Sequence, residues 1–158
     1  MLKEKENTKD TKEKELVINR IINAPRELVW KAWTDPEQVA KWWGPSNFSI
    51  PLCEMDVKPG GAILIHMKAP DGVIYPMNGI YKELVKPERI VFVGAALDTH
   101  GNALFEQMTS IQFEKEGNKT KLSIKVTFSK VKPEAAGHLA GAEVGWNQML
   151  DKLLIYIQ

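Results

Sequence analysis

Hydrophobic and polar positions follow two different periods along this chain. After residue 15, Leu16 and Ile18 alternate with Val17 and Asn19, the two-residue repeat of a strand, which predicts a first strand ending at Asn23-Ala24. Pro25 then fits a first helical position, where its missing N–H has no partner to lose. Glu27 suits the first turn, and Leu28, Val29, Ala32 and Trp33 recur at helical spacing. A second short helix is expected from Asp35 as N-cap, with Pro36 as its first residue and Gln38 as the reciprocal partner of a capping box. Gly44-Pro45 stops it.

From Phe48 to Phe128 the pattern changes to strands and turns. Six apolar-patterned runs, 48–57, 62–69, 73–85, 89–97, 103–114 and 119–128, are separated by five turns rich in Gly, Pro, Asn and Asp. Connections this short predict a consecutive antiparallel meander, because parallel crossovers need about a dozen residues. In the last run Leu122, Ile124, Val126 and Phe128 oppose Lys121, Ser123, Lys125 and Thr127, so one face is buried and the other meets water. Pro133 opens a final element, helical to about Ile157, with Leu139, Ala142, Trp146, Met149, Leu150, Leu153 and Ile157 on one stripe. The expected class is α+β: a curved seven-stranded antiparallel sheet around a long C-terminal helix, with two short helices after the first strand.

Composition narrows the function. Residues 1–14 are nearly all charged or polar and are expected to form a flexible lead before a single domain over 15–158. With 21 basic and 20 acidic residues the net charge is +1, which leaves no surplus to neutralise a phosphate backbone and argues against nucleic acid. Cys53 is the single cysteine, so an internal disulfide is excluded and a reducing compartment fits. With no apolar signal core and no membrane-length run, the expectation is a cytoplasmic protein without membrane insertion, as monomer or homodimer.

Four tryptophans, Trp30, Trp33, Trp42 and Trp43, crowd one short segment, and Trp146 lies on the final helix. Rings this large must serve a buried wall or an aromatic site, so the segment belongs to a cavity or its lid. Trp33 and Trp42 read as packing anchors, and Trp43, beside the Gly44-Pro45 exit, as the ring that touches a ligand.

Strand alternation suggests the remaining cavity wall: Met55, Met67, Tyr75, Met77, Phe92 and Phe105, joined by Trp146 and Met149 from the last helix. Flexible thioethers suit an irregular ligand surface. Gln107 and Thr109 are candidate polar anchors in an otherwise apolar pocket. The plain alternative is that these side chains simply fill a core. Gly137, Gly141 and Gly145 recur every fourth residue; either they leave room beside Trp146 for a ligand, or they allow close packing, or the helix starts only after Gly141.

His138 is the best acid–base candidate, with only Glu134 and Glu143 near it in sequence. No nucleophile elbow, phosphate loop or zinc-ligand spacing occurs, and neither metal nor cofactor is expected. Gly60-Gly61 lies between two strands and reads as a hairpin turn rather than a phosphate cradle.

Several segments resemble one family in order. They are Ala24-Pro25, Trp33-Thr34-Asp35-Pro36, Trp42-Trp43-Gly44-Pro45, Asp56-Val57-Lys58-Pro59-Gly60-Gly61, Gly79-Ile80-Tyr81-Lys82-Glu83, Pro87-Glu88-Arg89-Ile90 and the stretch from Gly145 to Leu153. The chain is similar to the activator of heat-shock-protein-90 ATPase homologue-like family, within the START and birch-pollen-allergen-like (SRPBCC) superfamily. That resemblance implies a helix-grip fold whose last helix closes an apolar cavity, and a stress-response setting. Lys58 and Ile63 stand where the family often has arginine and an aromatic, implying a less aromatic wall. The leading expectation is a binder of a small hydrophobic or aromatic ligand. One rival is an enzyme of the cyclase, dehydrase or hydrolase type acting on such a ligand. The other, ranked lowest, is a co-chaperone-like protein-binding module.

Overall fold

The computed structural model describes residues 14–98, 100–135 and 140–157. Strand β1 (Lys14–Ile22) leads into two helices, α1 (Arg26–Thr34) and α2 (Pro36–Trp42). Six strands follow: β2 (Ser49–Met55), β3 (Ala62–Lys68), β4 (Ile74–Val85), β5 (Arg89–Leu97), β6 (Ala103–Glu116) and β7 (Lys119–Ser129). A 3-10 turn at Pro133–Ala135 precedes the last helix, α3 (Ala142–Ile157).

All seven strands form one antiparallel sheet in the order β1-β7-β6-β5-β4-β3-β2. The meander is therefore local except at one seam, where β1 pairs with β7 in the register Leu16↔Val126 and Ile18↔Ile124. These four side chains are buried, as the alternation requires, together with Ile111, Phe113, Ile90, Phe92, Ile63 and Ile65 on the same inner face. Three register shifts, with the extra residue in β2, β4 and β6, bend the sheet, since a bulge locally increases twist and curvature. Curvature is also helped where Gly79 faces Gly94. A Cβ at either position would lie 2.7 or 2.8 Å from a neighbouring carbonyl oxygen, so only glycine lets the two strands approach there.

The helix starts differ in detail from the sequence pattern. Pro25 is the N-cap of α1, with ψ at 157°, and the helix begins one residue later at Arg26. Asp35 does cap α2, accepting from Glu37 N at 3.0 Å, but Gln38 does not close a reciprocal box. Its side chain reaches the Asp35 carboxylate instead, because the Asp35 N–H is already taken by Lys31 O at the end of α1. The final helix starts at Ala142 rather than Pro133. Of the three glycines, Gly145 falls within α3, Gly141 stands just before it as a turn residue, and Gly137 lies outside the described residues. The lead over residues 1–13 lies outside the described residues; Lys14 already belongs to β1.

Helix α3 is fastened at two places. Arg20 on β1 donates to Asp151 Oδ1 and Asn147 Oδ1, both at 2.9 Å. On the other side, Lys152 Nζ donates to the carbonyls of Trp43 and Pro45 at 3.0 and 3.2 Å, and Ser46 N donates to Gln148 Oε1 at 3.1 Å. The Trp43–Ser46 segment is thereby pinned against α3. Among the described residues, no helix is long and apolar enough to cross a membrane.

Candidate functional site

The sheet and α3 do not close completely on one another. A cavity of about 340 Å³ remains between them, within the range usual for small-molecule sites. Its sheet side is built by Met67, Tyr75, Met77, Ala96, Phe105, Gln107 and Phe128, and its helix side by Gly141, Ala142, Gly145, Trp146 and Met149. The segment after α2 contributes Trp43, Gly44, Pro45 and Phe48. Gly145 keeps this space open in a specific way. A Cβ there would meet only Pro45 Cγ at 3.6 Å, so the missing side chain enlarges the cavity without being needed for backbone approach.

Eight of the twelve residues expected from sequence meet at this wall: Trp43, Met67, Tyr75, Met77, Phe105, Gln107, Trp146 and Met149. Met55 and Phe92 lie deeper, around a second, smaller chamber of about 20 Å³ that Trp33, Ile63, Ile65 and Tyr81 also line. Trp43 and Met77 border both spaces and form the partition between them. Thr109 lines neither. It is fully buried, with its hydroxyl unpartnered among the described residues, because it stands between Phe92 and Val126 in the packed middle of the sheet. His138 lies outside the described residues.

The aromatic cluster forms a continuous chain of edge and tilted contacts leading to the cavity. Trp30 meets Phe113 at 5.3 Å between ring centres, and Trp33 meets Trp42 at 4.6 Å and Trp43 at 6.2 Å. Trp43 then meets Trp146 at 6.1 Å across the gap between the two helices. Trp42 is wholly buried, and its Nε1 donates to Ala32 O at 3.0 Å. Trp33 is buried as well, yet its Nε1 has no partner among the described residues.

Sequence reasoning missed Phe48 and Leu104 on the main wall. Asn47 has φ of 71°, a left-handed turn that sends Phe48 back towards Tyr75, at 6.4 Å between ring centres. Leu104 breaks the alternation because the β5–β6 register skips it, passing from Ala96↔Phe105 to Leu97↔Ala103. Neighbouring apolar residues at 103–105 were the available signal, since a strict two-residue repeat does not place Leu104 and Phe105 both inside.

Electrostatics near the site are set by burial. Cys53 is pushed up to about 11 by burial, and its Sγ lies 3.6 Å from Met55 Sδ. Tyr81 is raised by burial and, secondarily, by the nearby Cys53. Lys152 is lowered by burial, although its two carbonyl partners favour the ammonium. Among the described residues lining the main cavity there is no carboxylate, imidazole or amine, and Tyr75 and Gln107 are its hydrogen-bonding side chains besides the indoles. No cluster of metal-ligating side chains occurs among the described residues. The Gly60-Gly61 turn is structural: Gly60 N donates to Tyr81 O, and Gly61 O accepts from Tyr81 N. Another depression of about 470 Å³ lies on the outer sheet face, where Ser110, Gln112, Ser123 and Thr127 stand beside Val17, Met108, Arg89 and Lys125.

The profile of the family described as Activator of Hsp90 ATPase homolog 1-like protein matches residues 23–158, and the chain belongs to that family. No curated protein matches it. Solved structures share the fold. A protein from Chromobacterium violaceum is 28% identical with a TM-score of 0.77, over 90% of this chain and 96% of that one. An Arthrobacter aurescens protein is 23% identical with a TM-score of 0.81, over 90% and 85%. A Staphylococcus aureus protein described as of unknown function is 19% identical with a TM-score of 0.76, over 94% and 95%.

Proposed function

We propose that this member of the Activator of Hsp90 ATPase homolog 1-like family binds a small hydrophobic molecule, aromatic ones included, between its sheet and its last helix. The observation that carries this is the 340 Å³ cavity left open in a core that is otherwise well filled. Close packing is the rule in protein interiors, and this mainly apolar recess departs from it. Six aromatic rings and three methionines line it, giving large apolar area and an adaptable surface. Desolvation of that area drives binding, and Gln107 and Tyr75 fix orientation through hydrogen bonds.

Native mass spectrometry of freshly purified protein tests the reading. The expected spectrum shows a bound mass in the range of a few hundred daltons that leaves on denaturation. A ligand-free spectrum together with no uptake of added naphthalene derivatives overturns it.

A further inference from the structure

The small inner chamber sets a polar requirement on what fills the outer one. Its volume of about 20 Å³ holds one group the size of a water molecule, for which about 10–15 Å³ suffices. Apart from indoles and Tyr81, its wall is aliphatic, thioether or phenyl. Yet Trp33 lines it and is only 4% exposed, and the buried Nε1–H of this same ring has no partner among the described residues. Buried indole N–H groups usually find an acceptor, as Trp42 does with Ala32 O. A lone water needs about two to four polar partners, and besides Trp33 the wall offers it only the Tyr81 side chain and the Trp43 indole. An oxygen carried in by a ligand needs only the one, since the rest of the molecule is held elsewhere.

Resting on the binding reading above, the geometry points to a two-chamber site that selects ligands with an apolar body and a carbonyl oxygen. The body fills the main cavity, and the oxygen passes the Trp43–Met77 partition to accept the Trp33 Nε1–H. Met77 is the movable part of that partition. Its thioether chain is flexible, and its Cε stands 3.4 Å from where a Cβ of Gly94 would be, so the bare glycine leaves it room to swing.

The test compares propionylnaphthalene with propylnaphthalene, which differ by one carbonyl oxygen in place of two hydrogens. The ratio of their affinities in the native protein, divided by the ratio in Trp33→Phe, isolates the hydrogen bond from general hydrophobicity. A net hydrogen bond predicts that this quotient favours the ketone by roughly three- to tenfold. In addition, one of the five indole N–H resonances of the native protein, assigned through its contacts with Trp42 and Phe113, moves downfield with the ketone and not with the hydrocarbon. That measurement stands even where Trp33→Phe fails to fold. If both compounds bind but the quotient is near one and no indole signal distinguishes them, the inner subsite is refuted while the cavity reading survives. If neither compound binds, both readings fall.

Discussion

Replacing Trp43 with alanine tests the link between the tryptophan cluster and the cavity. Trp43 is 6% exposed, with ring centres at 5.5 Å from Trp42, 6.1 Å from Trp146 and 6.2 Å from Trp33. Truncating a buried aromatic to alanine costs about 3–5 kcal/mol. Part of this ring already borders open space rather than packed atoms, so fewer contacts are lost and the lower end, about 3 kcal/mol, applies. For a domain of this size each kcal/mol moves Tm by about 2–4 °C, which gives a fall of roughly 6–12 °C in calorimetry. Binding is affected separately. An aromatic pair contributes about 0.5–1.5 kcal/mol beyond area burial, so affinity for propylnaphthalene weakens roughly 2- to 12-fold. Isothermal titration well below the variant's melting temperature measures this without interference from unfolding. A folded variant that binds with unchanged affinity removes Trp43 from the site, and a Tm within about 2 °C of the parent contradicts the packing argument.

Gly145→Leu fills the cavity from the helix side. Because a Cβ there meets only Pro45 Cγ at 3.6 Å, the variant keeps or gains stability, by up to about 1 kcal/mol of helix propensity, while probe uptake falls at least about tenfold through lost room. Unchanged uptake in a folded variant contradicts the wall assignment. Lys152→Met keeps the aliphatic stem and removes the donors to the Trp43 and Pro45 carbonyls. Two opposing effects meet there, since burial already disfavours the ammonium; the hydrogen bonds are expected to win, lowering stability by about 1–3 kcal/mol and speeding amide exchange over residues 44–48. A variant melting above the parent shows that desolvation dominates. Cys53, raised from 9.0 to about 11, holds about 100-fold less thiolate near neutral pH than an unshifted thiol. Alkylation is expected to be slower than in the denatured chain by about that factor and to climb with pH until about 11. Its folded value lies above its unfolded one, so the stability it contributes is present below pH 9.0 and lost as pH rises towards about 11. Equal alkylation rates in the two states contradict this.

Much of the fold was legible because its signals are local. The alternation in β7 and the five turns between 59 and 118 placed six strands to within a few residues. Five cavity residues, Met67, Tyr75, Met77, Phe105 and Gln107, followed from the same alternation, since inner-face positions of neighbouring strands converge, while Trp146 and Met149 came from the helical stripe and Trp43 from the tryptophan cluster. What escaped depends on departures from period. The left-handed Asn47 turned Phe48 inward, and the register skip at Leu104 put two successive residues on one side. Thr109 obeyed the alternation yet ended in packed core, because inward facing does not say how far along the sheet the void extends. Of the readings the glycine spacing offered, close packing could be set aside at Gly145 only from the structure, where a Cβ would meet just Pro45 Cγ at 3.6 Å. The inner chamber had no sequence signature at all: it arises where Trp33, Met77 and Tyr81 fail to meet.

The single nonlocal seam of the sheet has a consequence for how the molecule is made. Strands β2 to β7 each pair with a strand adjacent in the chain, whereas Ile22 of β1 waits for Thr120 of β7. At about 5–20 residues per second on the ribosome, Leu16 and Ile18 emerge and then remain without their partners for several seconds while the meander assembles ahead of them. Helix α3, which Arg20 of β1 helps to hold, is synthesised later still. The helix side of the cavity is therefore made last, after the strands that form its sheet side.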